Sequence, residues 1–270
     1  MGGMKWLKTG AVIVGAVIIT ALGIDAADTL NGSDGTLLSQ VIEGTTGPCP
    51  AGMVLVENVA GVTCVDVYEA AAGEACPAPS PGNKIQSTEN IHNAECIPVS
   101  EPDASPWRFV TRDQAMQACA RAGKRLPTSA EWYQLSLGMA EVEDRCNVDS
   151  GGVSMTGKNS ECVSPHGAYD LVGNVWEWVS DDVIDGQYNN RQLPETGFVA
   201  QIDGGGMAVV SSSTESELFG EDYFWSKAEG AYGIMRGGYY DSGSDAGIYT
   251  VHADVAPTLS GTAIGFRCLK

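Results

Sequence analysis

The pattern of apolar and polar positions predicts two short helices near the middle of the chain. Before the first helix, Thr111 and Gln114 form a capping-box pattern, and Gly123 can end the helix. Its apolar positions recur on one helical face, at Ala115, Cys119 and Ala122. The capping box therefore predicts where the first helix starts, and the spacing of its apolar residues predicts which face is buried.

The second helix repeats this device a few residues later. Thr128 and Glu131 form its capping box, and Gly138 can terminate it. Trp132 and Leu135 lie on the side expected to face the core.

Runs of β-branched and aromatic residues, broken by Gly, Ser and Pro, predict short strands around these helices. They occur at residues 53–57, 63–68, 170–180, 247–251 and 263–266. Residues 197–210 are typical of a hairpin that turns at 203–206, and the aromatic cluster at 219–225 is expected to fold back on the core. Strand alternation would place Trp176 and Trp178 on one face and Glu177 on the other. The pattern favours an α+β domain with short irregular strands and two main helices.

The N-terminus has the pattern of a targeting segment. Lys5 and Lys8 precede the uncharged residues 9–24, and this length falls between a signal-peptide core and a membrane span. Four possibilities stay open for this segment: cleavage near residues 26–27, a retained membrane anchor, packing among copies in a filament, and a buried helix. We predict a hydrophobic N-terminal helix or signal segment at 1–27, a linker or stalk at 28–46 and one domain at 47–270. A retained helix would mediate membrane or filament association, and homo-oligomer formation.

Composition changes this picture in one respect, because the chain is strongly acidic. Its formal net charge is −19, so we expect it to repel a nucleic-acid backbone and exclude DNA or RNA as a partner. The surplus carboxylates indicate a solvated acidic surface or calcium binding.

Eight dispersed cysteines, none in a CxxC pair, indicate disulfides and an oxidising compartment. The chain is therefore expected to be extracellular or at the cell surface, either secreted or membrane-anchored. Sequence arithmetic leaves 105 pairings open. Adjacency favours three pairs, namely Cys49 with Cys64, Cys76 with Cys96, and Cys146 with Cys162.

Three blocks of sequence carry a family resemblance. They are AGKRLPTSAEWY at 122–133, GAYDLVGNVWEWVSD at 167–181, and MRGGYY at 235–240 with GFRC at 265–268. In order and spacing they resemble the formylglycine-generating-enzyme family, whose fold is a variant of the C-type lectin fold. The resemblance implies that Cys119 pairs with Cys268. This disulfide would close a loop of about 150 residues and stabilise the fold by roughly 4 to 5 kcal/mol.

The same resemblance implies that the oxidase chemistry is missing. Enzymes of the family bind copper through two cysteines after the Arg-Gly-Gly turn, and the matching positions here are Ser242 and Gly247. A hydroxyl and a hydrogen cannot hold Cu(I), which prefers thiolates, so we expect neither copper nor catalytic residues. The alternative is a formylglycine-generating-type oxidoreductase, or another modifying enzyme acting on exported proteins.

A second resemblance is to the variable proteins of diversity-generating retroelements, which use the same fold to bind ligands. Their rewritten codons never encode Glu, Lys, Gln, Met or Trp, and none of these five types occurs at 239–263. The resemblance implies a surface-displayed binding protein with a protein or glycan ligand. The candidate diversified and ligand-facing residues are Tyr240, Asp241, Asp245, Tyr249, Thr250, His252, Asp254, Thr258, Ser260 and Thr262. Ordinary loops of a sheet are the structural alternative.

Calcium is the other chemistry that the resemblance implies. Enzymes of the family bind it in the GNxWEW segment, which here gives Glu177 with the carbonyls of Gly173 and Val175. A second site would involve Asn147 and Val148. The alternative for Glu177 is a buried carboxylate that accepts hydrogen bonds from backbone amides or from Arg236.

Overall fold

The computed structural model describes residues 48–139 and 145–270 of the chain. Within it, Cys49–Lys270 forms one compact unit. The predicted N-terminal helix and stalk lie outside the described residues. In the described part of the chain, no helix is long and apolar enough to cross a bilayer.

The described residues contain three α-helices rather than the two predicted. They are α1 (Lys84–His92), α2 (Arg112–Arg121) and α3 (Ser129–Ser136). Both predicted capping boxes form, at the N-termini of α2 and α3. Helix α1 was missed because it has almost no apolar face: Ile85 is 71% exposed, whereas Ser87 and Asn90 are buried.

A nine-stranded sheet forms the centre of the molecule. Its strands are β5 (Trp176–Ile184), β6 (Gln187–Tyr188), β7 (Arg191–Gln192), β8 (Gly197–Ile202), β9 (Ala208–Ser212), β10 (Tyr223–Trp225), β11 (Ala231–Arg236), β12 (Val251–Val255) and β13 (Ile264–Gly265). The spatial order is β7-β6-β5-β11-β12-β10-β8-β9, with β13 pairing to β5. Strands β8 and β9 form the predicted hairpin.

Two small antiparallel pairs lie upstream of the main sheet. Strand β1 (Met53–Leu55) pairs with β2 (Cys64–Asp66), and β3 (Ala71–Ala72) pairs with β4 (Pro98–Val99). The predictions at 53–57 and 63–68 are thus confirmed in shortened form.

One predicted strand, at 247–251, is wrong. A short 3-10 helix at Gly243–Asp245 is followed by irregular chain, and strand β12 begins only at Val251. Gly247 has no room for a side chain, since a Cβ there would lie 2.1 Å from the Asp222 Oδ1 atom. Gly247 thus packs against a residue 25 positions earlier, a contact that the local pattern of β-forming residues does not reveal.

Two hydrophobic cores cover the two faces of the main sheet. Trp132 and Leu135 of α3 pack in the first core with Val179 of β5 and Ile234 of β11. The second core, around Trp178, contains residues from α1 and α2, including Ile91, Ala115, Ala118 and Cys119. Alternation along β5 thus gives one helical layer on each side of the sheet.

Four disulfides cross-link the chain, one of them over a long range. Cys119 of α2 is bonded to Cys268, next to the C-terminus, across a sequence separation of 149 residues. The other three are local, and they join Cys49 to Cys64, Cys76 to Cys96, and Cys146 to Cys162. These are the pairs that adjacency and the family resemblance favour. Such a disulfide set is typical of proteins that fold in an oxidising, exported environment.

Candidate functional site

Seven aromatic side chains form an unbroken chain of ring contacts along one side of the sheet. In order they are Phe198, Tyr223, Trp225, His252, Trp176, Tyr239 and Tyr240, and we call this surface the aromatic face. Successive ring centroids lie between 4.7 and 6.5 Å apart. All except Trp176, which is 7% exposed, keep an intermediate level of exposure. The aromatic face is thus a continuous surface partly open to solvent.

Strand register explains why these rings meet. Tyr223 of β10 pairs with Phe198 of β8, and Trp225 pairs with His252 of β12. Phe224, between the two β10 rings, is fully buried in the core on the α3 side. Alternation therefore directs Tyr223 and Trp225 to the opposite side of the sheet, where α2 packs against β5.

A small polar group lies at the centre of the aromatic face. His252 stacks on Trp225 with an interplanar angle of 14°, and its Nδ1 atom lies 2.6 Å from Asp254 Oδ1. Lys227 Nζ approaches the other carboxylate oxygen at 3.3 Å. The hydrogen bond from His252 outweighs partial burial and, with the positive charge of Lys227, lowers the pKa of Asp254. The carboxylate therefore stays ionised beside the rings.

The backbone of the C-terminal segment is fixed at the Tyr240 end of the face. The amides of Ser150 and Gly151 both donate to the Tyr240 carbonyl, at 3.0 and 3.3 Å. Asp241, the next residue, is exposed, as is Thr262. Arg108 donates to both the carbonyl and the hydroxyl of Thr262. Two backbone hydrogen bonds thus hold the chain at Tyr240, directly before the exposed Asp241.

The structure separates the ten predicted ligand-facing residues into several groups. Tyr240 and His252 belong to the aromatic face, and Asp254 contacts it through His252. Asp241, Thr258 and Thr262 are exposed, whereas Asp245 and Ser260 are partly exposed.

Thr250 is buried, so the prediction that it is a ligand-facing residue needs correction. Its side chain is fully buried, and its hydroxyl donates to the Asp245 carbonyl. The hydroxyl therefore closes the loop before β12. Tyr249 also packs inward, against Tyr133 and Phe219 on the α3 side of the sheet.

The two positions where the resemblance places copper thiols hold other contacts. Ser242 Oγ accepts the amide of Tyr239 at 3.0 Å, and Gly247 is packed against the Asp222 carboxylate. All eight cysteines are in disulfides. The residues present do not fit a dithiolate copper centre.

Glu177 forms a buried ion pair instead of an open cation site. Its carboxylate accepts hydrogen bonds from Arg267 Nε and Nη2 and from Trp132 Nε1, at 2.6 to 2.8 Å. Burial opposes the charge of Arg267, but the Glu177 charge and hydrogen bonds outweigh it and raise the arginine pKa. The alternative of a buried carboxylate describes Glu177 better than calcium ligation does. Its partner is Arg267, because Arg236 donates to Ser129 and to backbone carbonyls.

The other atoms expected at calcium are also engaged within the protein. The Asn174 amide donates to the Asn147 carbonyl at 2.7 Å, and the Gly243 amide donates to the Val148 carbonyl at 2.9 Å. Gly173 and Val175 are buried in the turn before β5. No cluster of three or more acidic, histidine or cysteine side chains suited to a metal occurs among the described residues. Calcium binding stays a prediction.

Two further carboxylates lie near the Glu177 and Arg267 pair. Burial and the charges of Asp170 and Glu177 raise the pKa of Glu69 well above its usual value. Burial also raises the pKa of Asp170 to about 6, although the Gly157 amide and Arg267 oppose the shift. Glu69, Asp170, Asn174, Glu177 and Arg267 form what we call the buried polar cluster, in which Asn174 donates to Glu69.

Sequence reasoning missed most of the aromatic face. Phe198 lies at the start of the predicted hairpin, and Tyr223 and Trp225 lie in the aromatic cluster expected to fold back on the core. The contact of Trp225 with His252, however, depends on β10 pairing in parallel with β12. The spacing of Tyr223 and Trp225 on either side of Phe224 was the available signal, since alternate residues of a strand share a face.

Comparison with known proteins finds a family model that matches the second half of the chain. Residues 143–270 match the family model described as "Sulfatase-modifying factor enzyme 1-like domain". The formylglycine-generating enzyme of Thermomonospora curvata is 31% identical over 107 residues, covering 31% of this chain and 35% of that protein. The formylglycine-generating enzyme of Mus musculus is 34% identical over 100 residues, covering 28% and 27%. The matches thus span about a third of these relatives.

A solved structure similar to this chain is titled "Major Tropism Determinant P3c Variant". The superposition covers 82% of this chain and 53% of that one, with 19% sequence identity and a TM-score of 0.44.

Proposed function

We propose that this chain is a ligand-binding protein. The proposal starts from the match of residues 143–270 to the sulfatase-modifying factor enzyme 1-like domain. The aromatic face, with the exposed residues of 239–263, is its binding surface. The proposal also includes a C-type-lectin-like fold, display at the cell surface, and a ligand that is a protein or a glycan.

The observation that carries the proposal is the partly exposed chain of seven rings. Aromatic side chains give large contact area at low cost in conformational entropy, and they are enriched in binding surfaces. Here they are held by strand register, so little ordering is needed on binding. Asp241, Thr258 and Thr262 provide hydrogen-bonding groups on the adjoining loops.

A binding experiment on the full chain tests this proposal. The protein is applied to arrays of immobilised glycans and of extracellular proteins, alongside the variants Trp225→Ala, Tyr240→Ala and His252→Ala. We expect a ligand whose binding falls about tenfold or more in the Trp225 variant, as is usual for a central aromatic contact. Ile85→Ala, which truncates an apolar side chain 71% exposed on α1, is the control and should bind normally. Ligands bound equally well by all variants would contradict the proposal.

Diversification of the C-terminal segment is part of the same proposal, and DNA sequence tests it. We expect a reverse transcriptase gene beside this one, with an adenine-richer near-copy of the last coding bases. Exposed positions such as Asp241 should differ between the two copies, whereas the codon of the buried Thr250 should not. If the DNA beside this gene has neither feature, the diversification part of the proposal fails. The ligand-binding part would still be tested by the array experiment.

The second candidate is an enzyme that modifies exported proteins, and the family match favours it. A copper-dependent oxygen-consumption assay with a cysteine-containing peptide tests it. We expect no turnover, because Ser242 and Gly247 supply no thiolates. Copper-dependent turnover would support the hypothesis that the protein is an enzyme.

A further inference from the structure

We propose that the aromatic face binds a basic protein segment, with an arginine or lysine side chain placed against its rings. This inference rests on the proposed function, which leaves the ligand class open. It draws on the charges around the face as well as on the rings.

Acidic loops lie at one end of the aromatic face. Strands β10 and β12 run parallel, so both begin at the same end of the sheet. The residues before β10 include Glu215 and Glu217, and those before β12 include Asp241 and Asp245. These acidic loops therefore lead into the strand ends at which Tyr223 and His252 lie.

Two of these carboxylates repel each other. Burial raises the pKa of Asp245, and the negative charge of Glu215 raises it further. Neither residue takes part in the ion pairs found among the described residues. A cation from a partner would relieve this repulsion, whereas a neutral ligand would not.

Negative charge also reaches the rings at the Tyr240 end. Partial burial raises the pKa of Tyr239, and the charge of Asp241 adds to that effect. A cationic side chain placed there would contact a ring and a carboxylate together, which is the favourable setting for a cation–π contact.

The protein itself uses this combination close by. Lys227 Nζ lies 5.3 Å from the centroid of the Tyr232 ring and 3.3 Å from Asp254 Oδ2. The net charge of −19 would in addition attract a basic partner over long range and repel an acidic one. Charge complementarity thus favours a basic protein over a neutral or acidic glycan.

Titration of the full chain with matched peptides tests the inference. The probe is a capped peptide of alternating arginine and glycine, and its partner peptide has citrulline, an uncharged isostere, in place of arginine. Binding is followed calorimetrically as ionic strength rises from about 0.05 to about 0.5 M, a range over which screening strengthens severalfold. We expect the citrulline peptide to bind at least about tenfold more weakly at low salt.

Variants locate the site. Glu215→Gln with Asp245→Asn should weaken binding of the arginine peptide roughly tenfold and reduce its salt dependence. Glu89→Gln with Glu95→Gln removes the same charge from exposed positions on and after α1 and should leave the affinity within about twofold. Equal loss in both pairs of variants, or equal binding of both peptides, would overturn the inference.

Two further outcomes separate this inference from the proposed function. If a neutral oligosaccharide binds instead, and Trp225→Ala abolishes that binding, the inference fails while the proposed function stands. If Trp225→Ala changes no binding of any ligand, the aromatic face is not the binding surface and both fail.

Discussion

The two sides of strand β5 contrast the buried polar cluster with the aromatic face. On one side, the carboxylate of Glu177 is fully buried and bonded to Arg267 and Trp132. On the other, Trp176 contacts Trp225, His252 and Tyr239, which are all partly exposed. Adjacent residues of one strand thus belong to a closed polar network and to an open aromatic surface.

This contrast teaches how a fold can keep its architecture while its surface changes. Groups of the buried polar cluster are costly to alter, because a removed partner leaves a charge buried without compensation. Rings of the aromatic face are held by strand register, so one side chain can change with less effect on its neighbours. The predictions below test whether stability and binding divide in this way.

The largest effect is expected from breaking the buried polar cluster. Glu177→Ala leaves Arg267 charged and 0% exposed, so the free energy of unfolding should fall by about 3 to 5 kcal/mol. Chemical denaturation measures this change. Asp182→Asn, which breaks an ion pair at a side chain 52% exposed, should cost at most about 1 kcal/mol. Equal losses in the two variants would show that the cluster has no special structural role.

A smaller effect should separate two tyrosines of the C-terminal segment. Tyr249→Ala removes a ring packed on Tyr133 and Phe219, so we expect a loss of about 2 to 4 kcal/mol. Tyr240→Ala should cost less than about 1 kcal/mol, since its ring contacts only Tyr239 among the ring pairs of the described residues. Thermal and chemical unfolding of both variants check this difference. A larger loss for Tyr240 would place that residue in the core.

A third effect on stability should appear as a pH dependence. The pKa of Asp170 is about 6 in the folded protein and about 3.9 in an unfolded chain, so the folded state binds more protons between these values. Stability contributed by this group is therefore present at low pH and lost as pH rises from about 4 to about 6. Asp170→Asn should remove up to roughly 1.4 kcal/mol per pH unit of this slope.

The control for this pH effect is Asp103→Asn. Asp103, like Asp170, has a positive φ, but it is exposed. This variant shows what removing one carboxylate from an exposed position does to the pH dependence of the unfolding free energy. If Asp170→Asn changes that dependence no more than Asp103→Asn does, the Asp170 carboxyl titrates alike in the folded and unfolded states.

Local signals in the sequence predicted the local features of the structure. The capping boxes at Thr111 and Thr128 start helices because they depend on residues three positions apart. The β8–β9 hairpin follows from a turn of consecutive residues. Disulfides between neighbouring cysteines follow from proximity along the chain.

Features that depend on distant pairing were not predictable in the same way. The Glu177 carboxylate is bonded to Arg267 rather than to Arg236. The parallel pairing of β13 with β5 brings the C-terminal segment that carries Arg267 next to Glu177. The aromatic face requires Trp225 to lie beside His252, which follows from a parallel strand pair with no local signature. Thr250 is buried because its loop closes on Asp245, although its residue type suits an exposed position.

The central claim is that ligands contact the aromatic face, and fluorine NMR of fluorotryptophan-labelled protein tests it most directly. Trp225 and Trp176 lie on the face, whereas Trp107, Trp132 and Trp178 are fully buried. Titration with a ligand from the arrays, or with the arginine peptide, should shift the Trp225 resonance, assigned with Trp225→Phe, until binding saturates. The three buried tryptophans should move little. Saturated binding that leaves the Trp225 resonance in place would contradict the account.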